Sequence, residues 1–310
     1  MDSVKKGVFF VIVSAVILGS TPILARMAYD EGANAATMVF LRAALALPFL
    51  LVIMKIRKIP FATSFMEMRD LFLGGIAAAS ATILLYSSFT YISVGETMTL
   101  QFIYPALVSL GCVIFYKEKL TKAILVALIL SFAGVSLFYE YQSLGNIESG
   151  GTIGFLLAIA GGVSYAIYII RVDKSSLRQI PTPKITLAVC ICAMLCSGIY
   201  GLSEFGGGLS FGLSTKGWIY AWIVSLSVTL VAFIFLQLGI KYTGAPAAAI
   251  LSTFEPITSV LCGAFFLGEH LSFPKVVGCV LIIASVIIVA TAGSGDRVKI
   301  KTAPDSAICP

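Results

Sequence analysis

Apolar residues along this chain form long continuous runs that are separated by short polar segments. A helix needs about 20 mostly apolar residues to span a bilayer, and ten runs of roughly that length occur. We number the predicted helices α1 to α10; they cover residues 8–26, 35–54, 71–92, 97–116, 123–139, 152–170, 185–202, 218–239, 246–267 and 274–293. The strands of a membrane barrel would instead show short segments of alternating hydrophobicity. The pattern therefore predicts an all-α integral membrane protein with ten transmembrane helices.

A set of residues between Tyr91 and Val135 recurs between Tyr242 and Val286 with a constant separation of 151 positions. The matched pairs are Tyr91/Tyr242, Leu100/Leu251, Pro105/Pro256, Phe115/Phe266, Glu118/Glu269, Leu120/Leu271, Val126/Val277, Leu130/Leu281 and Val135/Val286. A match without insertion over this length indicates a chain built from two related halves. Each half holds five helices, and because five is odd, the second half enters the membrane in the opposite orientation. The sequence therefore predicts two inverted five-helix repeats, related by a pseudo-two-fold axis in the membrane plane.

The two predicted repeats are joined by a polar, glycine-rich segment. We assign residues 1–139 to the first five-helix repeat, 140–151 to an extracytoplasmic linker, 152–295 to the second repeat and 296–310 to a cytoplasmic tail. The connections between helices have too few residues to form a soluble catalytic domain.

Charge is sparse and unevenly distributed. Charged residues make up 12% of the chain, about half of their share in soluble domains. If the N-terminus is cytoplasmic, most basic residues fall in cytoplasmic connections, and only Arg26, Lys216 and Lys275 fall on the other side. This distribution is the positive-inside bias of inserted proteins. The net charge of +6 is thereby explained without nucleic acid, and we expect a multi-pass protein of the cell inner (plasma) membrane with both termini in the cytoplasm.

Groups suited to catalysis or metal binding are few. The one histidine, His270, lies in a turn directly after Glu269, and no paired carboxylates or His/Cys cluster lie within a helix. Most of the seven cysteines lie in apolar helices, where cysteine acts as a small hydrophobic residue. The sequence also has no phosphate-binding glycine-rich loop with a lysine. We therefore expect no enzymatic activity, no metal, no cofactor and no ATP-driven pumping.

A small set of polar and aromatic residues remains at membrane depth. Polar groups there are costly unless they face the bundle interior or a water-filled cavity. We predict a central substrate cavity lined by Ser20, Thr21, Arg42, Tyr86, Gln101, Tyr104, Tyr165, Tyr168, Gln237, Ser252 and Glu255. Aromatic rings would stack on apolar parts of a solute, and amides and hydroxyls would bind its polar groups. The alternative is that these tyrosines and glutamines only hydrogen-bond between helices.

Two ionisable residues and two prolines in this region suggest specific roles in transport. The lone carboxylate of Glu255 can carry a proton, bind a cationic group or form half of an ion pair. Arg42 either lines the cavity or extends its charged end to the surface. Pro105 and Pro256 can bend α4 and α9 and free backbone carbonyls, so we predict gates or hinges there. By contrast, Glu118 and its match lie at helix junctions, and we expect a structural role for them.

Several of these residues resemble the drug/metabolite transporter superfamily, in its ten-helix EamA branch. They are Phe254-Glu255-Pro256 in α9, the turn Leu267-Gly268-Glu269-His270-Leu271-Ser272, its first-half partner Tyr116-Lys117-Glu118-Lys119-Leu120-Thr121, and Arg42. The resemblance covers nearly the whole chain and is specific for the superfamily rather than for a substrate. It implies an inner-membrane carrier of metabolites, often an exporter of amino acids. The tyrosine-rich set is similar to that of aromatic amino-acid exporters, although α1 has Gly19-Ser20 where many members carry Trp-Gly.

The sequence therefore favours a secondary transporter that exports amino acids of broad specificity, including aromatic ones, or similar small metabolites by alternating access. A carrier of another metabolite or drug class in the same superfamily, such as a nucleotide-sugar carrier, is one alternative. An intramembrane enzyme is an alternative from a different class. A duplicated chain can supply both sides of a pathway, so we expect a monomer whose partners are the small-molecule substrate and the lipid bilayer.

Overall fold

The computed structural model describes residues 3–92, 94–137, 151–203, 207–267 and 272–295. Glu269, His270, the tail 296–310 and nearly all of the linker 140–151 lie outside the described residues. Within the described ranges the chain is helical and contains no strand. The predicted all-α class is confirmed.

Ten helical units follow one another in the predicted order. Their bounds are α1, Ser3–Gly19 and Thr21–Asp30; α2, Ala35–Ile56; α3, Phe65–Ser88; α4, Val94–Gln101 and Tyr104–Tyr116; α5, Lys122–Ser136; α6, Gly151–Lys174; α7, Thr182–Leu202; α8, Thr215–Val224, Ser225–Ala232 and Phe233–Thr243; α9, Ala245–Leu251 and Phe254–Leu267; and α10, Phe273–Gly295. A short 3₁₀ helix, Ser176–Arg178, follows α6. By length and composition, eight of the helices in the described ranges can cross a membrane. Of the remaining two, α5 is shorter and α9 is divided into two pieces.

Local capping explains where several helices begin. The Ser64 side chain accepts a hydrogen bond from the Glu67 backbone N–H, and the Glu67 carboxylate accepts one from the Ser64 backbone N–H. This reciprocal capping box stabilises a helix start, so α3 begins at Phe65 rather than at the predicted residue 71. The side chains of Asn34 and Thr121 each accept one hydrogen bond from a backbone N–H in the first turn of α2 and α5. Polar residues that the apolar runs exclude therefore lengthen these helices.

Helix packing follows the duplication. Helix α3 of the first repeat packs against α6 of the second, and the equivalent pair, α8 of the second repeat against α1 of the first, packs in the same way. Likewise α2 packs against α7 and α5 packs against α10, each helix thus meeting its own equivalent. The helix bounds also keep the separation of 151 positions. Helix α4 ends at Tyr116 and α9 ends at Leu267, and α5 begins at Lys122 and α10 begins at Phe273. The two halves therefore interlock and bury their shared faces in the middle of the bundle.

Candidate functional site

Three helices that are broken near their middle surround the candidate site. Breaks separate the two pieces of α1 at Ser20, of α4 at residues 102–103 and of α9 at residues 252–253. Each second piece begins with a proline close to its start: Pro22, Pro105 and Pro256. Proline is tolerated in a first helical turn because its missing N–H needs no partner there. Breaks of this kind are tolerated at membrane depth only inside protein or beside a water-filled cavity.

The breaks surround a buried cavity of about 60 Å³. Its apolar wall comprises Leu18, Pro22, Ala81, Leu85, Phe89, Met98, Val228 and Phe233, and its polar lining comprises Thr21, Arg42, Thr82, Tyr86, Gln101, Tyr165 and Glu255. A single water needs roughly 10–15 Å³ of such space. The cavity therefore holds a few waters, and a larger solute enters only if the helices move apart.

Six of the eleven residues predicted to line a cavity do so: Thr21, Arg42, Tyr86, Gln101, Tyr165 and Glu255. The other five lie elsewhere. The Ser20 hydroxyl donates to the Ile17 carbonyl at 2.7 Å, and Ser252 is buried at the break of α9. Tyr104 packs edge-on against Tyr165 with ring centroids 4.8 Å apart, so it contacts a lining residue from behind.

The last two of the five, Tyr168 and Gln237, bond to each other. The Gln237 amide donates to the Tyr168 hydroxyl at 2.9 Å and to the Thr186 hydroxyl at 3.1 Å. All three residues are buried. For this pair the structure matches the alternative interpretation, in which polar residues connect helices to one another.

The two charged groups of the cavity are not paired with each other. Arg42 is 5% exposed and Glu255 is 7% exposed, yet neither belongs to an ion pair within 4.0 Å in the described ranges. The Arg42 guanidinium carbon lies 5.2 Å from the ring centroid of Phe233 and 6.0 Å from that of Tyr86. Such placement over aromatic faces stabilises a cation. A buried cation and a buried carboxyl group therefore share one small cavity without neutralising each other directly.

Several oxygen atoms in the lining have unused hydrogen-bonding capacity. Glu255 Oε1, Gln101 Oε1 and Thr21 Oγ1 are buried without a hydrogen-bond partner among the residues that the structure describes. Buried polar atoms in folded proteins nearly always have a partner in protein or water. The cavity is consequently suited to a polar ligand or to ordered water.

Two glycines allow close approach of neighbouring helices at the cavity. A Cβ atom on Gly19 of α1 would lie 2.4 Å from the Glu255 carbonyl oxygen of α9, and one on Gly162 of α6 would lie 2.8 Å from the Gln101 carbonyl oxygen of α4. Both distances are below van der Waals contact, so only glycine fits at either position. Each glycine thus packs directly against the backbone of a polar lining residue.

Partly buried ion pairs connect the two repeats at the end of the bundle that carries most of the basic residues. The Asp70 carboxylate of α3 accepts from Arg171 at 2.7 Å and from the Ser176 hydroxyl at 2.8 Å. Glu118, which follows α4, pairs with Lys174 of α6. The prediction of a structural role for Glu118 agrees with this contact. Because these pairs join helices of opposite repeats, they hold this end of the molecule together.

Asp173 is a further carboxylate at this end of the bundle. It accepts from Arg178 at 2.5 Å and from Lys174 at 2.8 Å. It also accepts from the backbone N–H of Ala245 at 3.1 Å, at the start of α9, where Gly244 provides no side-chain cap. One carboxylate of α6 therefore caps the first turn of α9.

Some lining residues were absent from the sequence prediction. Thr82 lies four residues before Tyr86 on the same helical face, so its spacing was a usable signal. Phe89, Met98 and Phe233 carried no such signal, because an apolar residue that faces lipid and one that faces a cavity look alike in sequence. In the described ranges no three His, Cys, Asp or Glu side chains gather in the manner of a metal site.

Comparisons with known proteins agree with this architecture. The family model described as the EamA-like transporter family matches twice, over residues 5–139 and 152–291. An uncharacterized transporter of Archaeoglobus fulgidus is 26% identical over 90% of this chain and 94% of its own length. The uncharacterized transporter YcbK of Bacillus subtilis is 24% identical over 88% of this chain and 89% of its own length. YwfM of Bacillus subtilis, also an uncharacterized transporter, is 28% identical over 57% of each chain.

A solved crystal structure has the same fold. It superposes with a TM-score of 0.75 at 16% sequence identity and covers 92% of this chain and 96% of that one. At this identity the likeness concerns the fold alone. The double family match and the helix order together show two five-helix repeats, which are inverted because each holds an odd number of helices.

Proposed function

We propose that this chain, which belongs to the EamA-like transporter family and is therefore a multi-pass membrane protein of a transporter family, exports amino acids. The proposed substrate range is broad and includes aromatic amino acids. The proposed location is the cell inner membrane, with both termini in the cytoplasm and the monomer as the working unit.

The observation that carries the proposal is the unpaired combination of Arg42 and Glu255 in one cavity. An amino acid at neutral pH carries a carboxylate and an ammonium group on the same carbon. Arginine binds carboxylates through two parallel hydrogen bonds, and a carboxylate binds an ammonium group. A zwitterion therefore supplies an ion-pair partner to each of two buried ionisable groups that have none within 4.0 Å in the described part of the chain.

The remainder of the lining suits a side chain of variable size. Phe89, Tyr86 and Phe233 offer aromatic faces, and Met98 offers a flexible apolar contact. Aromatic pairs and methionine–aromatic contacts are each favourable without demanding one shape. Gln101 and Thr21 leave acceptors free for further donors of the substrate. This mixture supports broad specificity with aromatic amino acids among the substrates.

Alternating access fits the position of the cavity relative to the ion pairs. In the proposed orientation, the Asp70 and Asp173 networks lie at the cytoplasmic end, and the cavity lies further toward the outer end. Release to the outside then requires only the helices around the cavity to move apart, whereas loading from the cytoplasm also requires these networks to separate. In inverted-repeat carriers such motion occurs by one repeat rocking against the other around a central site.

The test is uptake of labelled amino acids into proteoliposomes, with and without a pH gradient. We expect transport of several amino acids, with aromatic ones included. The panel also contains a nucleotide sugar and a cationic drug. Transport of either of these without transport of any amino acid would overturn the proposal.

Single variants test whether Arg42 binds the substrate carboxylate and Glu255 binds the substrate ammonium group. Removing one charge-assisted hydrogen bond costs about 1.5–3 kcal/mol, so Arg42→Gln and Glu255→Gln should each raise KM for amino acids by about 10- to 100-fold. A substrate analogue that lacks the ammonium group should be insensitive to Glu255→Gln, and one that lacks the carboxylate should be insensitive to Arg42→Gln. Arg26→Gln is the matched control, because Arg26 is 61% exposed at the end of α1. Equal loss for all analogues would contradict the assignment of the two charges.

A further inference from the structure

A second cavity, larger than the first, lies between the ends of α2, α3 and α7. Its volume is about 260 Å³, and its lining comprises Met54, Phe61, Thr63, Met68, Leu71, Phe72, Lys184, Leu187, Ala188, Ile191 and Cys192. The inner wall is buried, with Met54, Leu71 and Cys192 at its base. The outer edges are exposed, with Phe61, Phe72 and Ile191 on the surface that faces the surroundings. This crevice therefore opens sideways from the bundle, toward the acyl chains of a bilayer.

One cation lies in the lining of the otherwise apolar crevice. Lys184 is 8% exposed, and its Nζ donates to the Ala62 carbonyl oxygen at 2.8 Å. It belongs to no ion pair within 4.0 Å in the part of the chain that the structure describes. A buried charge is costly unless it is paired. The carbonyl satisfies one of its three donors and leaves the charge without an anion.

The surroundings of Lys184 identify the anion by its chemistry. Lys55 in the last turn of α2 and Arg57 directly after the helix are exposed basic residues close in sequence to Met54 of the crevice wall. They lie at the end of the bundle that carries most of the basic residues. Basic pockets between membrane helices on the cytoplasmic side are suited to lipid headgroups. The apolar wall of Met54, Leu71 and Phe72 is suited to an acyl chain, and the cation is suited to a phosphate.

We infer that this crevice binds an anionic phospholipid, with one acyl chain against the apolar wall and the headgroup phosphate at Lys184. The site is separate from the substrate cavity, which shares no lining residue with it. The bound lipid fills the crevice between the ends of α2, α3 and α7. It supplies the negative charge that the described residues do not supply.

The experiment is native mass spectrometry of the purified full chain with phosphatidylglycerol or phosphatidylcholine of identical acyl chains. The wild type should retain phosphatidylglycerol more strongly than phosphatidylcholine. Because a basic residue near a membrane surface strengthens anionic-lipid binding by about fivefold, Lys184→Gln should weaken phosphatidylglycerol retention by about that factor. Lys184→Arg should restore it. Ile191→Trp should weaken retention of both lipids, because the larger ring occupies the crevice.

The matched control is Lys119→Gln, which removes an exposed lysine at the same end of the molecule but outside the crevice. It should leave phosphatidylglycerol retention unchanged. Each variant is first compared with the wild type by circular dichroism, and Ile191→Trp tests the site without altering any charge. Equal retention of the two lipids by the wild type, or equal loss in Lys119→Gln and Lys184→Gln, would overturn the inference.

Discussion

Gly19 and Gly162 determine how closely α1 approaches α9 and α6 approaches α4 at the candidate cavity. Each lies against the carbonyl oxygen of a polar lining residue, Glu255 for Gly19 and Gln101 for Gly162. A methyl group at either position would push a helix break away from its neighbour. The orientation of the two lining side chains therefore depends on residues that contribute no side chain of their own.

We expect Gly19→Ala to lower both stability and transport. Its Cβ would lie 2.4 Å from a backbone oxygen, and overpacking of this kind costs about 1–3 kcal/mol. Gly198→Ala in α7 is the control, because a Cβ there meets nothing within 4 Å. That substitution should be neutral or stabilise the helix by up to about 1 kcal/mol. Thermal unfolding in detergent and initial transport rates measure both effects, and wild-type behaviour of Gly19→Ala would refute the close contact.

The two glutamines at membrane depth should respond oppositely to replacement by leucine. Gln237 is buried and hydrogen-bonded to Tyr168 and Thr186, so Gln237→Leu leaves buried partners unsatisfied and should destabilise by about 1–3 kcal/mol. Gln101 lines the cavity with an unpartnered oxygen among the described residues. Gln101→Leu should therefore lower transport with little loss of stability. The midpoint of unfolding and the transport rate distinguish the two, and the reverse pattern would exchange their roles.

The sequence alone singles out residues whose chemistry contrasts with an apolar helix. A charge, amide or phenol within an apolar run is conspicuous, which is why Arg42, Gln101 and Glu255 could be singled out. The sequence does not distinguish Gln101 from Gln237, because each is an amide within an apolar helix. Only the positions of neighbouring helices show that one amide has partners and the other faces a cavity.

At the scale of single elements, α9 depends on a cap from outside itself. Gly244 precedes its first piece with φ of +84° and carries no side chain to accept the free backbone N–H groups. Asp173 of α6 accepts from the Ala245 N–H instead. Asp173 also neutralises Arg178 and Lys174. The start of α9 is thus attached to the end of α6.

We expect Asp173→Ala to destabilise the protein by about 1–3 kcal/mol, because a buried helix start and two partly buried cations lose their shared partner. Asp30→Ala is the control. Its pair with Arg26 spans 3.9 Å with both side chains largely exposed, and such pairs contribute little. Unfolding midpoints of the two variants provide the comparison. Similar unfolding midpoints would show that Asp173 contributes no more to stability than the exposed Asp30.

Element boundaries were partly predictable. The apolar runs placed all ten helices, but the capping box of Ser64 and Glu67 moved the start of α3 to Phe65. The breaks in α4 and α9 lie two to four residues before the prolines that were predicted as gates or hinges. The break in α1 before Pro22 was not predicted. Pro22 has no matching proline 151 positions later, whereas Pro105 and Pro256 match each other at that separation.

At the scale of the whole molecule, the two repeats are joined at one end by charge. Asp70 belongs to the first repeat, whereas Ser176 and Arg171 belong to the second. If the halves rock against each other during transport, these contacts have to separate in each cycle. The duplication itself was visible in the sequence, but the location of this network was not, since Asp70 and Ser176 lie 106 positions apart.

A reversible cross-link tests this motion. In Asp70→Cys/Ser176→Cys, a short thiol-specific methanethiosulfonate cross-linker should abolish transport, and reduction should restore it. The single-cysteine variants, treated identically, control for the native cysteines and for loss of the Asp70 network. Transport at the same rate before and after reduction of a fully cross-linked sample would show that this end stays closed throughout the cycle.

The short length of α5 has a consequence for the membrane around the protein. The helix covers 15 residues, Lys122–Ser136, and so rises about 22 Å at 1.5 Å per residue. The hydrocarbon layer of a typical bilayer is about 30 Å thick. Where α5 lies at the edge of the bundle beside α10, the lipid layer has to thin to match it. The fit between this protein and its bilayer therefore depends on acyl-chain length. Shorter acyl chains should relieve the mismatch along α5 and have little effect beside the longer helices.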